Sequence, residues 1–199
     1  MFRRLAALAA IVLAVALAGD PARAHTPIPG VGGFSGGLLH PLLVPAHELT
    51  LVSLGLLAGQ HSLRPRLILL ATFAASLLAG LAAIVAAVAV GNAEVVLLAC
   101  AALAGLLAAL ARPAPVRIAG PLAAVCGLAL ALDSVPEEIS IEATLLALTG
   151  TIVAAPLALA CIAAVGALRA RRWQRIGVRI LASGAAAGAI LVLALRLVP

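Results

Sequence analysis

Long apolar runs broken by short polar clusters dominate the chain, and this alternation predicts its elements. Apolar stretches lie near 37–59, 67–90, 94–111, 118–133, 141–168 and 176–198. A helix rising 1.5 Å per residue crosses a hydrocarbon layer about 30 Å thick in about 17–25 residues, and the runs fall in or near that range. The fold class expected is an all-α integral membrane protein, a bundle of six transmembrane helices. The first run contains Pro41 and Pro45, each of which removes a backbone donor and crowds the preceding turn, so this helix is expected to be kinked or broken there. No internal repeat is visible, so an inverted-repeat transporter plan has no support.

The amino terminus reads differently. Arg3 and Arg4 precede an apolar run from Leu5 to Ala18, and a small-x-small site follows at Ala22-Arg23-Ala24. This is the pattern of a secretory signal peptide over residues 1–24, leaving a six-helix transmembrane domain over 25–199. The other reading is an uncleaved first helix, for which the Leu5–Ala18 run is short.

Composition narrows the class further. Of 199 residues, 65% are hydrophobic and 10% charged, against about 45–50% and about 25% in soluble domains. A soluble core could not hide that much apolar surface. The formal net charge of +6 raises the question of nucleic acid, but one Trp, three Phe and no Tyr leave no stacking platform. The location of the charges answers it. Arg64 and Arg66, Arg112 and Arg117, and Arg169, Arg171, Arg172, Arg175 and Arg179 fill alternate connections that contain no acid. The intervening connections carry Glu94, Asp133, Glu137, Glu138 and Glu142 and no Arg. By the positive-inside rule the arginine connections are expected to face the cytoplasm, with the mature amino terminus and Pro199 on the outer side. The Arg169–Arg179 run has two readings: a topology determinant with Trp173 at the interface, or a patch for anionic lipid or nucleotide. Arg196 near the outer end is expected to snorkel to the headgroups. Gly184 and Gly188 form a Gly-x-x-x-Gly pair, which fits close helix packing or a face for a second copy of the chain.

Polar residues at membrane depth are costly and mark functional sites by default. The densest group is Gly36-Gly37-Leu38-Leu39-His40-Pro41-Leu42-Leu43-Val44-Pro45-Ala46-His47-Glu48. On a regular helix, His40 and His47 would stand about 10.5 Å apart along the axis, too far to share an ion, whereas a break at the prolines could fold them together. Imidazole with carboxylate suits nickel, cobalt or zinc, so His40, His47 and Glu48 are candidate metal ligands. His25, as a new terminus, would add an α-amine and an imidazole at the outer mouth. Asp133, Glu137 and Glu138 are candidates for attracting a cation to the outer face. The competing reading of His47-Glu48 is a hydrogen-bonded pair that only stabilises packing. His61, beside Arg64, reads as an ordinary interfacial residue.

Enzymatic readings fail on particular residues. His47-Glu48-Leu49-Thr50-Leu51 begins like the zinc-protease helix motif, but Leu51 occupies the second ligand position. No activated-serine motif is present, and Cys100, Cys126 and Cys161 lack Cys-x-x-Cys spacing and read as small core residues. No enzyme activity, tightly bound cofactor or nucleotide-binding loop is expected.

With a signal peptide ending before His25, then Gly33-Phe34-Ser35-Gly36-Gly37-Leu38-Leu39-His40-Pro41, then His47 and a Leu-rich helix containing Gly55, the chain resembles the HupE/UreJ family of bacterial membrane proteins accessory to nickel hydrogenases and ureases. The resemblance implies a six-span secondary permease for nickel or cobalt in the bacterial inner membrane, with metalloenzyme maturation proteins as partners besides membrane lipid and the metal ion. It maps ligands to His40 and His47. The family's aspartate before the second histidine is Ala46 here, and Glu48 lies on the other side of His47. A later family motif carrying two histidines and a glutamate aligns with Cys126-Gly127-Leu128-Ala129-Leu130-Ala131-Leu132-Asp133, where both histidines are absent and only Cys126 and Asp133 keep ligand capacity. The two functions to weigh are a divalent-metal permease and a non-transporting membrane scaffold derived from that family.

Overall fold

The computed structural model describes residues 33–85, 92–134 and 141–197. The expected signal peptide, His25, Glu137 and Glu138 lie outside the described residues. Among those described, every regular element is an α-helix: α1 (Gly33–Leu43), α2 (Pro45–Gly59), α3 (Leu63–Val85), α4 (Ala93–Ala109), α5 (Val116–Asp133), α6 (Ile141–Ala167) and α7 (Arg172–Leu197). By length and composition α3, α5, α6 and α7 can each cross a membrane, and α1 with α2 makes a fifth span if the bent pair is taken as one. The helix expected as the third span, α4, is apolar but only 17 residues long. The described helices thus give four or five spans by these measures, against the expected six.

Two starts fall earlier than the hydropathy pattern places them. Helix α3 begins at Leu63 and contains Pro65 in its first turn, where the missing N–H has no intrahelical partner in any case. Helix α7 begins at Arg172 because arginine is a good helix former, so the helix extends beyond the apolar run.

Helix α2 is the axis of the bundle. It packs against all six other helices, while the strongest remaining pairings are α3 with α5, α1 with α6 and α4 with α7. Accordingly α2 is buried nearly all round, from Ala46 and His47 through Leu54 to Gly59, as expected of a helix that is apolar on every side. The surrounding helices turn large apolar side chains outward, among them Leu67, Leu78, Leu106, Leu157, Ile180 and Leu191. Lipid is as apolar as the interior, so what holds such helices together is close packing of small residues rather than hydrophobic burial. Gly59 of α2 sits against Gly166 of α6 so tightly that an added Cβ would lie 2.7 Å from the Gly166 backbone. Gly105 joins α4 to Ala182 and Ala186 of α7 in the same way. The Gly184–Gly188 pair is not such a seam: Gly184 has no heavy atom within 4 Å of a built Cβ, and Gly188 faces only the Leu49 side chain.

The connections sort by charge. Arg66, Arg169 and Arg179 gather with the end of α2 and the α4–α5 connection at one end of the bundle. Glu94 and Arg196 mark the opposite end, where they form an ion pair of 2.9 Å. Arg196, expected to reach for headgroups, is instead tied to Glu94.

Candidate metal-transit site

The site is built by the break between α1 and α2. Val44 precedes Pro45, and a residue before proline is driven out of the helical region; it is extended, with φ −83° and ψ 117°. Pro45 then starts α2 at a position suited to its fixed φ. The two helices meet at 65°. Pro41 leaves the Gly37 carbonyl without its helical donor, and the Thr151 hydroxyl of α6 lies 3.2 Å from that carbonyl oxygen, sharing its proton with Ala147 O at 3.3 Å. The lost helical bond is thus replaced from a neighbouring helix, as membrane bundles commonly do.

The bend folds the two histidines together. The His40 and His47 rings stand edge to face with centroids 4.9 Å apart, less than half the about 10.5 Å of a straight helix. His47 is fully buried, and its Nε2 lies 2.9 Å from Asp133 Oδ2, within hydrogen-bond distance. Asp133 is the last residue of α5, where the helix dipole disfavours a negative charge, but it faces the amino-terminal turn of α2, where the dipole favours one. Below this, Thr50 lies 2.7 Å from Ala46 O and 3.3 Å from Leu97 O, linking α2 to α4.

Glu48 does not join the group. It is exposed although its neighbour His47 is buried, because one residue is about 100° around a helix. The carboxylate at His47 is Asp133, 86 residues away in sequence, a residue read from the sequence as an outer-face acid and, through the family motif, as one of two positions there with ligand capacity. Two contacts therefore share His47: an imidazole on one side and a carboxylate on the other. Among the described residues, no three His, Cys, Asp or Glu side chains close around a single point. An arriving cation would have to part His47 from Asp133 and replace the bond with its own.

Two further groups escaped the sequence pattern. Cys100 of α4 and Cys126 of α5, both buried, meet through their side chains; no short-range spacing signals a contact between separate helices. At the arginine end, His61 is buried rather than interfacial. Its Nδ1 lies 3.1 Å from Leu57 O and its Nε2 2.7 Å from Ala114 O. Both acceptors are carbonyls, so a neutral imidazole satisfies one and an imidazolium both. Arg66 donates to Gly59 O and His61 O, and Arg169 to Gln60 O. The carboxy-terminal end of α2, which carries the negative pole of its dipole, is capped by two cations.

A family model described as HupE / UreJ protein matches residues 13–194. No curated protein and no solved structure matches the chain.

Proposed function

The chain belongs to the HupE/UreJ family, and from that premise we propose that it is a membrane permease carrying a divalent transition metal, nickel or cobalt, inward through a site formed by His40, His47 and Asp133. The observation that carries the reading is the contact of His47 with the His40 ring on one side and Asp133 on the other, at a helix break inside the bundle. Broken helices are where membrane carriers commonly place their ion sites, because unwound backbone and helix ends supply oriented partial charges. Imidazole and carboxylate donors suit nickel and cobalt better than magnesium or calcium.

In this proposal α1 and α2 form one broken span and α4 a short one, which completes six. A signal peptide is removed at residue 24, the mature amino terminus and Pro199 face outward, and the arginine end faces the cytoplasm. Outside, His25, Glu137 and Glu138 attract the cation. Within the bundle His47 releases Asp133, and the ion takes their lone pairs together with that of His40. Ligation requires the imidazoles to be unprotonated, so binding expels any proton that His47 holds. The chain acts as a carrier and not as an enzyme.

The test is accumulation of nickel, cobalt and zinc by cells expressing the parent, His47→Ala or Asp133→Asn, with metal content measured on the purified proteins. Both variants are expected to lose uptake of the transported ion and its binding. Equal uptake of all three metals by parent and His47→Ala would refute the permease. A parent that holds no metal but co-purifies with a partner protein would support the scaffold instead.

A further inference from the structure

The arginine end carries an unbalanced charge. Nine arginines occupy its connections and the adjoining helix starts, and no aspartate or glutamate accompanies them. Crowding is felt by Arg169: partial burial, followed by the like charges of Arg66 and Arg175, pulls its guanidinium below its ordinary value. Arg66 holds an Nε buried without a hydrogen-bond partner. These side chains converge from the start of α3, the α6–α7 connection and the first turn of α7.

Beside them lies a groove. A cavity of about 330 Å³ opens between the end of α4 and the first turns of α7, lined by Ala109, Ile176, Arg179, Ile180 and Ser183. Ile176, Arg179, Ile180 and Ser183 follow the spacing of one helix face. The Arg179 Nε–H donates to Ala109 O at 3.1 Å, which fixes the guanidinium plane at the rim. Its two terminal nitrogens keep four N–H donors for an outside acceptor. Arg175 stands one turn nearer the cytoplasmic end of α7, so Arg175 and Arg179 are neighbours on the helix surface.

We propose that this groove binds one anionic phospholipid of the arginine-side leaflet, its phosphate held between Arg175 and Arg179 and an acyl chain lying over Ile176 and Ile180 toward Ser183. Charge complementarity selects the occupant: cationic forks at one end of an apolar trough match a headgroup phosphate with a hydrocarbon tail. A soluble phosphate would leave the apolar floor unused, and a zwitterionic lipid would bring its own cation against the arginines. Because Arg66 and Arg169 also cap α2, the lipid lowers the repulsion among the groups that hold the carboxy-terminal end of the central helix.

The experiment uses the full chain purified in neutral detergent, with bound lipid counted by native mass spectrometry and melting followed by intrinsic fluorescence. Phosphatidylglycerol is expected to bind at one copy per chain and raise the melting temperature, whereas phosphatidylcholine and inorganic phosphate do neither. Arg175→Gln and Arg179→Gln each weaken phosphatidylglycerol binding about fivefold, while Arg112→Gln leaves it unchanged. Ser183→Phe fills the groove and also weakens it. Parent protein that retains phosphatidylglycerol and phosphatidylcholine equally, or is stabilised as much by inorganic phosphate, overturns the proposal without any substitution. So does an Arg175→Gln/Arg179→Gln double variant that binds phosphatidylglycerol like the parent.

Discussion

Gly37→Ala is the most direct probe of how the site is held. Gly37 lies in α1 against the backbone of α6, and an added Cβ would come within 2.6 Å of the Ala147 carbonyl carbon and 2.8 Å of its Cα, with the carbonyl oxygen nearer still. Carbon atoms pack at about 3.5–4.0 Å, so α1 must withdraw from α6 by about 1 Å. No rotamer change relieves the clash, because the obstructing atoms are backbone. Gly150 one turn along belongs to the same seam, its built Cβ 2.6 Å from Leu38 N, so the separation opens this contact as well. Overpacking costs about 1–3 kcal/mol, here toward the upper end, and the gain in helix propensity from Gly to Ala returns about 1 kcal/mol. The net loss expected is about 2 kcal/mol. Function suffers more: α1 carries His40, and a displacement of about 1 Å is twice the about 0.5 Å within which a constellation must be held. For the proposed permease, metal affinity is expected to fall about 10–100-fold, the range seen when a supporting group of a metal site is lost. Unfolding in detergent and metal titration of the same preparation measure the two effects. Gly120→Ala is the control, since nothing lies within 4 Å of a built Cβ there, and it should be neutral or stabilising. A Gly37→Ala protein as stable as the parent, or a Gly120→Ala protein equally damaged, would refute the packing argument.

Two other substitutions test separate joints. Thr151→Val keeps the shape of the side chain but withdraws the hydroxyl from the Gly37 carbonyl that Pro41 leaves without a donor; a loss of about 1 kcal/mol is expected on unfolding in detergent, with no loss if water replaces the hydroxyl. Arg196→Gln leaves the mostly buried Glu94 carboxylate without its ion-pair partner, so the single variant should melt lower than the parent, and Glu94→Gln added to it should restore part of the difference. Equal melting of single and double variants would show that the exposed side of the pair contributes nothing.

The fold was largely legible because the signals for it are local. Hydropathy located α2 to α7 to within a few residues, and arginine placement grouped the connections that meet at one end. The proline pair foretold the break, since the effect of Pro45 on Val44 acts between adjacent residues. The site was half legible. His40 and His47 stood out because imidazoles in an apolar run are rare, and the break allowed their approach. Glu48 was the carboxylate nearest to them in sequence, but α2 turns it outward and the carboxylate that meets His47 is Asp133. The contact between Cys100 and Cys126 and the burial of His61 were likewise invisible to spacing.

The sequence by itself determined that this chain is a bundle of apolar helices, which connections share an end, and where the first run must break. Each of these follows from composition or from the backbone chemistry of neighbouring residues. Which face of each helix turns inward was decided only in the tertiary structure. Helices that are apolar all round carry no polar stripe to orient them, and their rotation and depth are fixed by where small residues let backbones touch, as Gly37 and Gly150 do between α1 and α6. The packing of α5 into the bundle, with Gly127 against the Phe73 carbonyl of α3, is what brings Asp133 to His47.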